Sequence, residues 1–477
     1  MKILMAASEI KPFSKTGGMG DVVCSLSTQL SELGQDVYLF SPLYKSARDF
    51  IRRKKIKLTK VGKLVTKMSW REQHGEVFEC KYNGLTYLFI DNFFYFGRNA
   101  LYGYSDDNER FAYFCLAIKQ ALIEFKMHFD IIHIHDWQVG MLSALIKEDK
   151  SSFFKKEKLV LTIHNPSFQG EFDRYYLGNY YNLDDTIFDK KKINVDRTVS
   201  SLRVGIKYCD KVVTVSQTHK QELLQDIYNF HLSEVLRSKG KDFIGILNGI
   251  NSNEFCSESD PKISANYGYN NVNEGKLANK KLFLRSIKQR NVNAPLYGLV
   301  SRLSDQKGIQ ILIPIIKEEL DKGSLFALVG SGHEFFERQF ELLQHEYPNQ
   351  VFLFLGYNDD KARKVFASSD FFMMPSFFEP CGIGQMIAKR YASIPMARRT
   401  GGLADSIKDF YVNKTKADGI LFNDFDLDGL RYAFKVSKEI FEDKAALTKL
   451  RKNCLKADHS WNKSAKEYLK LYNSMVL

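Results

Sequence analysis

Two loops of this sequence hold cations and a carboxylate in an order that suits a phosphorylated sugar. SRLSDQKG (301–308) follows the apolar run PLYGLV, so Arg302 and Lys307 share one loop at the carboxyl end of a strand. A guanidinium fork and an ammonium point charge placed there can neutralise a diphosphate. PSFFEPCGIGQ (375–385) follows DFFMM and sets Glu379 between a strand and the next helix, with Gly382 and Gly384 behind it. A carboxylate in that position can accept hydrogen bonds from sugar hydroxyls, and glycine backbone can come close to a ligand.

A second pair of loops repeats one pattern. KTGGMGD (15–21) and RTGGLAD (399–405) each read cation, Thr, Gly, Gly, apolar, small, Asp. Each is expected to open a helix beside a sheet strand, where N–H groups at the positive end of a helix dipole favour an anion by about 0.3–2 kcal/mol. Lys15 precedes its glycines, so the first copy is not a GxxxxGK[ST] phosphate loop, and neither copy is the GxGxxG dinucleotide fingerprint.

HIHDW (133–137) and TIHN (162–165) each end a strand-like run. An HxH pair needs further ligands to hold a metal, and His164 alone does not complete the set. His133 and His135 therefore read as structural histidines, while Asp136 and His164 are placed to hydrogen-bond a sugar. The DxD spacing within NDFDLDGL (423–430) introduces a helical pattern, so helix capping explains it better than cation binding. GSG (330–332) reads as a plain strand-to-helix turn.

The elements that must carry these residues alternate. KILMAAS, DVYLFSP, DIIHIHD, KLVLTIHN and DKVVTVS are short apolar runs ending in polar residues, and VVCSLSTQLSELG between the first two has helical spacing. Such runs form a doubly wound parallel sheet with ligand groups at strand ends. Periodicity disappears in the polar stretch after GILNGIN (245–251), which sets a domain boundary there. It resumes in PLYGLVS, LFALVG, VFLFLG and DFFMMPS, separated by helices such as HEFFERQFELLQHE. The expected fold is α/β, with two doubly wound domains facing across a cleft.

Length and composition agree. A chain of 477 residues is too long for one core. Hydrophobic residues at 44% and charged residues at 26% exclude a disordered chain. The formal charge of +13 is spread over short runs such as RRKK and DKKK that never merge with aromatics into one basic segment, so no nucleic-acid partner is expected. The start, MKILMAASEIK, has an apolar run too short for a leader or a membrane span, which points to the cytoplasm and no membrane partner. Seven scattered cysteines without a CxxC pair fit reduced thiols and no structural metal.

KTGGMGD, DNERFAYF (107–114), HIHDWQVG, TIHNPSFQG, GILNGIN, SRLSDQKG, PSFFEPCGIGQ and RTGGLAD, in this order along nearly the whole chain, resemble the bacterial glycogen synthase and plant starch synthase family. That resemblance implies retaining GT-B glycosyltransferases built from two Rossmann-like domains. It implies an N-terminal domain of 1–252, a nucleotide-sugar-binding domain of 253–455, and a tail helix of 456–477 returning to the first. By the same resemblance His164, Arg302, Lys307, Glu379 and Asp21 serve catalysis. Lys15, Gly18, Asn248, Tyr357, Cys381, Gly382, Thr400, Gly401 and Gly402 serve the donor, and Tyr95 and Asp136 the acceptor. The implied reaction moves glucose from ADP-glucose, or UDP-glucose, to the non-reducing end of an α-1,4-glucan, with no metal and no cofactor beyond the sugar nucleotide. The family usually has His, Arg and Asp where Gln138, Phe377 and Asn251 stand here. Another retaining GT-B transferase, a non-catalytic glucan-binding relative and a dinucleotide-binding oxidoreductase are the alternatives; intact Arg302, Lys307 and Glu379 weigh against the second, and the absence of GxGxxG with its downstream acid against the third.

Overall fold

The computed structural model describes residues 1–184, 197–356 and 358–476. It divides into two compact units, one of Met1–Leu247 with Trp461–Leu477 and one of Asn248–Ser460. The division therefore falls a few residues before the expected 252/253 boundary, and Asn248 belongs to the second unit. The aperiodic stretch after Asn251 is no free linker, because it is bonded into that unit: Arg363 donates to the Glu254 carbonyl and to Asp260, and the Tyr267 hydroxyl donates to the Tyr391 carbonyl.

The first unit is built on a nine-stranded sheet. Strands Phe243–Gly245, Lys211–Thr214, Lys158–Ile163, Ile131–His135, Lys2–Ala6, Asp36–Pro42 and Leu85–Asp91 lie side by side and parallel. Their apolar residues alternate between two cores. Leu4 and Ala6 pack into one, Ile3 and Met5 into the other, so both faces are covered and the strands read as unbroken apolar runs. An antiparallel hairpin, Thr59–Met68 and Arg71–Tyr82, extends one edge beyond what the sequence reading assigned. Leu64, Thr66 and Met68 are buried while Lys63, Val65 and Lys67 are exposed, the alternation of a sheet wet on one face.

The helix Trp461–Val476 belongs to this unit. Trp461, Ala465, Tyr468 and Tyr472 fall at spacings of four, three and four, which forms one stripe, and that stripe shares a core with Ile3, Met5, Val23 and Leu26. The Tyr472 hydroxyl lies 2.7 Å from His133 Nδ1, and Thr162 Oγ1 lies 2.7 Å from His133 Nε2, so this fully buried histidine is satisfied on both sides.

The second unit carries six parallel strands in the order Val351–Leu355, Leu325–Gly330, Leu296–Val300, Phe371–Met374, Ile394–Arg398 and Ile420–Phe422. The last two were not expected. Ile394–Arg398 contains Pro395 and ends at Arg398, with Arg399 just beyond it, and Ile420–Phe422 is only three residues long, so neither carries a strong strand signal. Loops leaving Leu296–Val300, Phe371–Met374 and Ile394–Arg398, three neighbouring strands, bear Arg302, Lys307, Glu379, Cys381, Gly382 and Thr400. No helix among the described residues is long and apolar enough to cross a membrane.

Replacing Tyr472 by Phe removes one partner of a buried ring nitrogen, a change that costs about 1–3 kcal/mol. A lowered melting temperature of the transition belonging to the first unit is expected, and an unchanged melt would contradict the anchoring of His133 by the C-terminal helix.

Candidate active site

In the second unit the two chemically loaded loops meet. Lys307 Nζ sits 2.5 Å from Glu379 Oε2, and the Ser376 hydroxyl donates to the same oxygen at 3.0 Å. Backbone bonds lock the loops together: Phe377 N–H donates to the Gln306 carbonyl at 2.8 Å, and Gln306 Nε2 donates to the Phe378 carbonyl at 3.3 Å. Gly308 has φ +71°, and an added Cβ would lie 2.0 Å from the Pro375 carbonyl oxygen, so only glycine lets the Lys307 loop come this close. Arg302, on the same loop, is exposed and has no ion-pair partner among the described residues.

GSG does more than turn a strand into a helix. Added Cβ atoms on Gly330 and Gly332 would fall 1.9 Å from the Ser301 carbonyl oxygen and 2.1 Å from that of Leu303. The backbone that carries Arg302 is braced from beneath by these two glycines, and Leu303 N–H donates to the Ser331 carbonyl.

RTGGLAD uses its glycines in the same manner. Gly402 N–H donates to the Glu379 carbonyl at 3.1 Å, and Cβ atoms at Gly401 and Gly402 would lie 2.0 Å from the Glu379 and Cys381 carbonyl oxygens. This pair packs against the EPCG segment and fixes Glu379. Thr400 is fully buried at the mouth of the helix Gly401–Ser406. Gly382, at φ +68°, turns the chain beside Glu379.

Cys381 and Asn248 lie together. Burial pushes the Cys381 thiol up to about 12, against hydrogen bonds from Asn248, so it stays protonated and acts as a small neutral surface. Asn248 Oδ1 is buried with no partner among the described groups, an acceptor left open in the middle of this cluster. Tyr357 lies outside the described residues.

In the first unit the central strands Lys2–Ala6, Ile131–His135 and Lys158–Ile163 release Glu9, Asp136 and His164 at their carboxyl ends. Asp136 holds φ 58°, ψ −172°, a conformation rare outside glycine, and its Oδ1 accepts from His164 N–H at 2.7 Å. Burial raises its carboxyl to about 7, against the backbone N–H groups of His164 and Asn165 and with help from the charge of Glu9. His164 Nε2 lies 3.1 Å from His135 Nδ1, and burial lowers His164 to about 3. The ring is neutral at working pH, so it can hydrogen-bond a sugar but carries no charge for a leaving group.

KTGGMGD departs from its twin. Glu9, almost fully buried, accepts from Thr16 N–H at 2.7 Å, Gly17 N–H at 2.9 Å and the Thr16 hydroxyl at 2.8 Å. Those two amides are therefore spoken for within the protein. What remains outward is Lys15, paired with Asp21 at 2.5 Å on a half-exposed surface where such a pair is worth little, and Gly18, above which a Cβ would meet nothing within 4 Å.

Tyr95 is not available to any acceptor. Its ring is fully buried, and its hydroxyl donates to Glu109 Oε1 at 2.6 Å. In the run Phe93–Phe96 the first two rings are exposed and Tyr95 and Phe96 are buried, an order with no periodic pattern from which this inward orientation could be read. Asp426 caps the helix Leu427–Glu442 by accepting from Gly429 N–H at 2.8 Å, as the capping reading of DxD requires. Among the described residues no group of three His, Cys, Asp or Glu could hold a metal ion.

The Asp136 carboxyl binds its proton more tightly folded than unfolded. Its contribution to stability is thus greatest below the ordinary carboxylate range and is lost as pH rises through about 7. Melting curves should show the wild type losing stability relative to Asp136→Asn between pH 5 and 8, and parallel pH profiles would contradict the raised value.

Residues 2–238 match the model described as Starch synthase catalytic domain, and residues 280–454 match Glycosyl transferases group 1. The glycogen synthase of Clostridium kluyveri is 36% identical over 479 residues, covering 100% of both chains. That of Clostridium beijerinckii is 37% identical, covering 100% of this chain and 99% of its own. The catalytic domain of starch synthase IV from Arabidopsis thaliana, solved bound to ADP and acarbose, superposes with a TM-score of 0.90 at 30% identity, covering 100% of this chain and 99% of that one. A sucrose-phosphate synthase from Thermosynechococcus elongatus shares the fold at a TM-score of 0.61 and 16% identity. Two Rossmann-like units, a cation and carboxylate pair at neighbouring strand ends and full-length likeness converge on one conclusion: this chain is a GT-B glycosyltransferase of the glycogen synthase and starch synthase family.

Proposed function

We propose that this enzyme elongates an α-1,4-glucan, transferring glucose with retention from ADP-glucose to a non-reducing end. The observation that carries the proposal is the Lys307–Glu379 pair beside unpaired Arg302, three groups held by interlocked loops at the ends of adjacent strands. Support for the donor comes from the starch synthase relative, whose structure contains ADP.

In this reading Arg302 and Lys307 hold the diphosphate, with Lys15, Gly18 and Thr400 also serving the phosphates. Glu379, Cys381, Gly382 and the open Oδ1 of Asn248 surround the glucose. His164 contributes a neutral hydrogen bond, and Asp21 and Asp136 serve the acceptor side. As the glycosidic C1–O bond breaks, both electrons stay with the diphosphate oxygen, and negative charge grows where Lys307 and Arg302 already stand. Preorganised charge of this kind costs no reorganisation at the moment of reaction. Lys307 is tethered to Glu379 by a charge-assisted hydrogen bond, so its ammonium is aimed before the donor arrives. The acceptor 4-hydroxyl attacks C1, and its proton leaves with the diphosphate or the solvent it contacts.

Fixed cations take the part that a divalent ion plays in metal-dependent sugar transferases, so turnover is proposed to need no metal. The test is incorporation of radiolabelled glucose into glycogen from ADP-glucose and from UDP-glucose, with and without excess EDTA. Label entering polymer from ADP-glucose in EDTA is expected, and none from either donor would reject the activity. Lys307→Ala should lower kcat by about 10²–10³ while the protein stays folded. Near-normal turnover in that variant would remove the assignment of the leaving-group site.

A further inference from the structure

We infer that Glu9 is a positioning residue for the glycine loop that follows it, holding Lys15 and Gly18 in the form that receives the donor. The inference rests on the proposed reading of Lys15 and Gly18 as donor groups and goes beyond it to the side chain that sets them.

Glu9 stands three residues past the end of the strand Lys2–Ala6, in the middle of the first unit's sheet. It is almost fully buried and accepts from the Thr16 and Gly17 N–H groups and the Thr16 hydroxyl, with the Tyr102 hydroxyl bonded to it as well. A carboxylate accepting two consecutive amides and a hydroxyl fixes the orientation of both peptide planes, because each bond is directional and charge-assisted. Those planes lie directly between Lys15 and Gly18, so their orientation decides where the Lys15 side chain leaves the backbone and which way Gly18 faces. Beyond these bonds the loop is held by the partly exposed Lys15–Asp21 pair and by backbone bonds at its helical end. Lys15, Thr16, Gly17 and Gly18 are all exposed, and Gly18 at the helix start makes no side-chain cap.

Close packing completes the device. An added Cβ on Gly20 would lie 3.5 Å from the Glu9 Cβ and 3.2 Å from the Ser14 carbonyl oxygen, so the first helical turn rests on the stem of Glu9. Glu9 thereby does for KTGGMGD what the Glu379 backbone carbonyl does for RTGGLAD. One loop is tied by a side chain and the other by main chain, although the two sequences match.

The test is steady-state kinetics of Glu9→Ala, Glu9→Gln and Thr16→Val with ADP-glucose and glycogen, each variant checked by its melting temperature, once the wild type has been shown to incorporate label. A wild type without activity would reject the proposed function and is recognised before any variant is made. Glu9→Ala should raise KM for ADP-glucose about tenfold or more, as three charge-assisted bonds are lost, and leave KM for glycogen within about twofold. Glu9→Gln, which keeps one acceptor oxygen, should fall between. Thr16→Val should shift the donor KM in the same direction by a smaller factor and add nothing in the Glu9→Ala background. If Glu9→Ala does not accumulate folded, Thr16→Val and Glu9→Gln decide. An unchanged donor KM in folded variants, or equal rises in donor and glycogen KM, overturns the inference.

Discussion

The structure of the second unit depends on bringing two loops, each leaving a different strand, close enough for Lys307 to touch Glu379. Like many short contacts between backbones it is possible only where side chains are absent. Gly308 lies against Pro375, Gly330 and Gly332 lie beneath Ser301 and Leu303, and Gly401 and Gly402 lie against Glu379 and Cys381. Each would bring a Cβ to about 2 Å of a carbonyl oxygen. The glycines of this unit are thus chiefly a packing device, and the ligand chemistry is left to the polar side chains they allow to converge.

The twin loops illustrate how little a shared sequence fixes when the partners differ. In RTGGLAD the two glycines are consumed by the main chain of the EPCG segment. In KTGGMGD the first glycine is tied to a buried carboxylate and the second faces open space. Lys15, Gly18 and a helix start are thus left outward in one copy, whereas the glycines of the other steady Glu379. Among the buried titratable groups, His164 and Cys381 are kept uncharged by burial.

Much of this was legible in the sequence because strand ends are marked sharply. An apolar run that stops at Arg302, Asp136, His164 or Glu379 announces both the strand and the residue it delivers. Asp426 likewise announced itself as a cap by preceding a helical pattern. Other features had no local signal. Glu9 is a single acid after a strand, and only the fold shows that its carboxylate turns back onto residues seven and eight positions later. Tyr95 follows two exposed phenylalanines, yet it is buried with its hydroxyl on Glu109. Asn248 was placed one unit too early, since the polar stretch beyond it resembles a linker until Arg363 and Tyr391 are seen to bind it. The edge hairpin of 59–82 is too rich in lysine and glutamate to stand out, as a strand wet on one face must be.

The central claim is that fixed cations in the second unit bind the terminal phosphate of the nucleotide. Calorimetric titration with ADP and with AMP isolates that phosphate. ADP is expected to bind the wild type far more tightly than AMP, and the difference is expected to collapse in an Arg302→Ala, Lys307→Ala double variant that binds AMP as the wild type does. Equal affinities for ADP and AMP in the wild type, or a preference for ADP that survives both substitutions, would contradict the account.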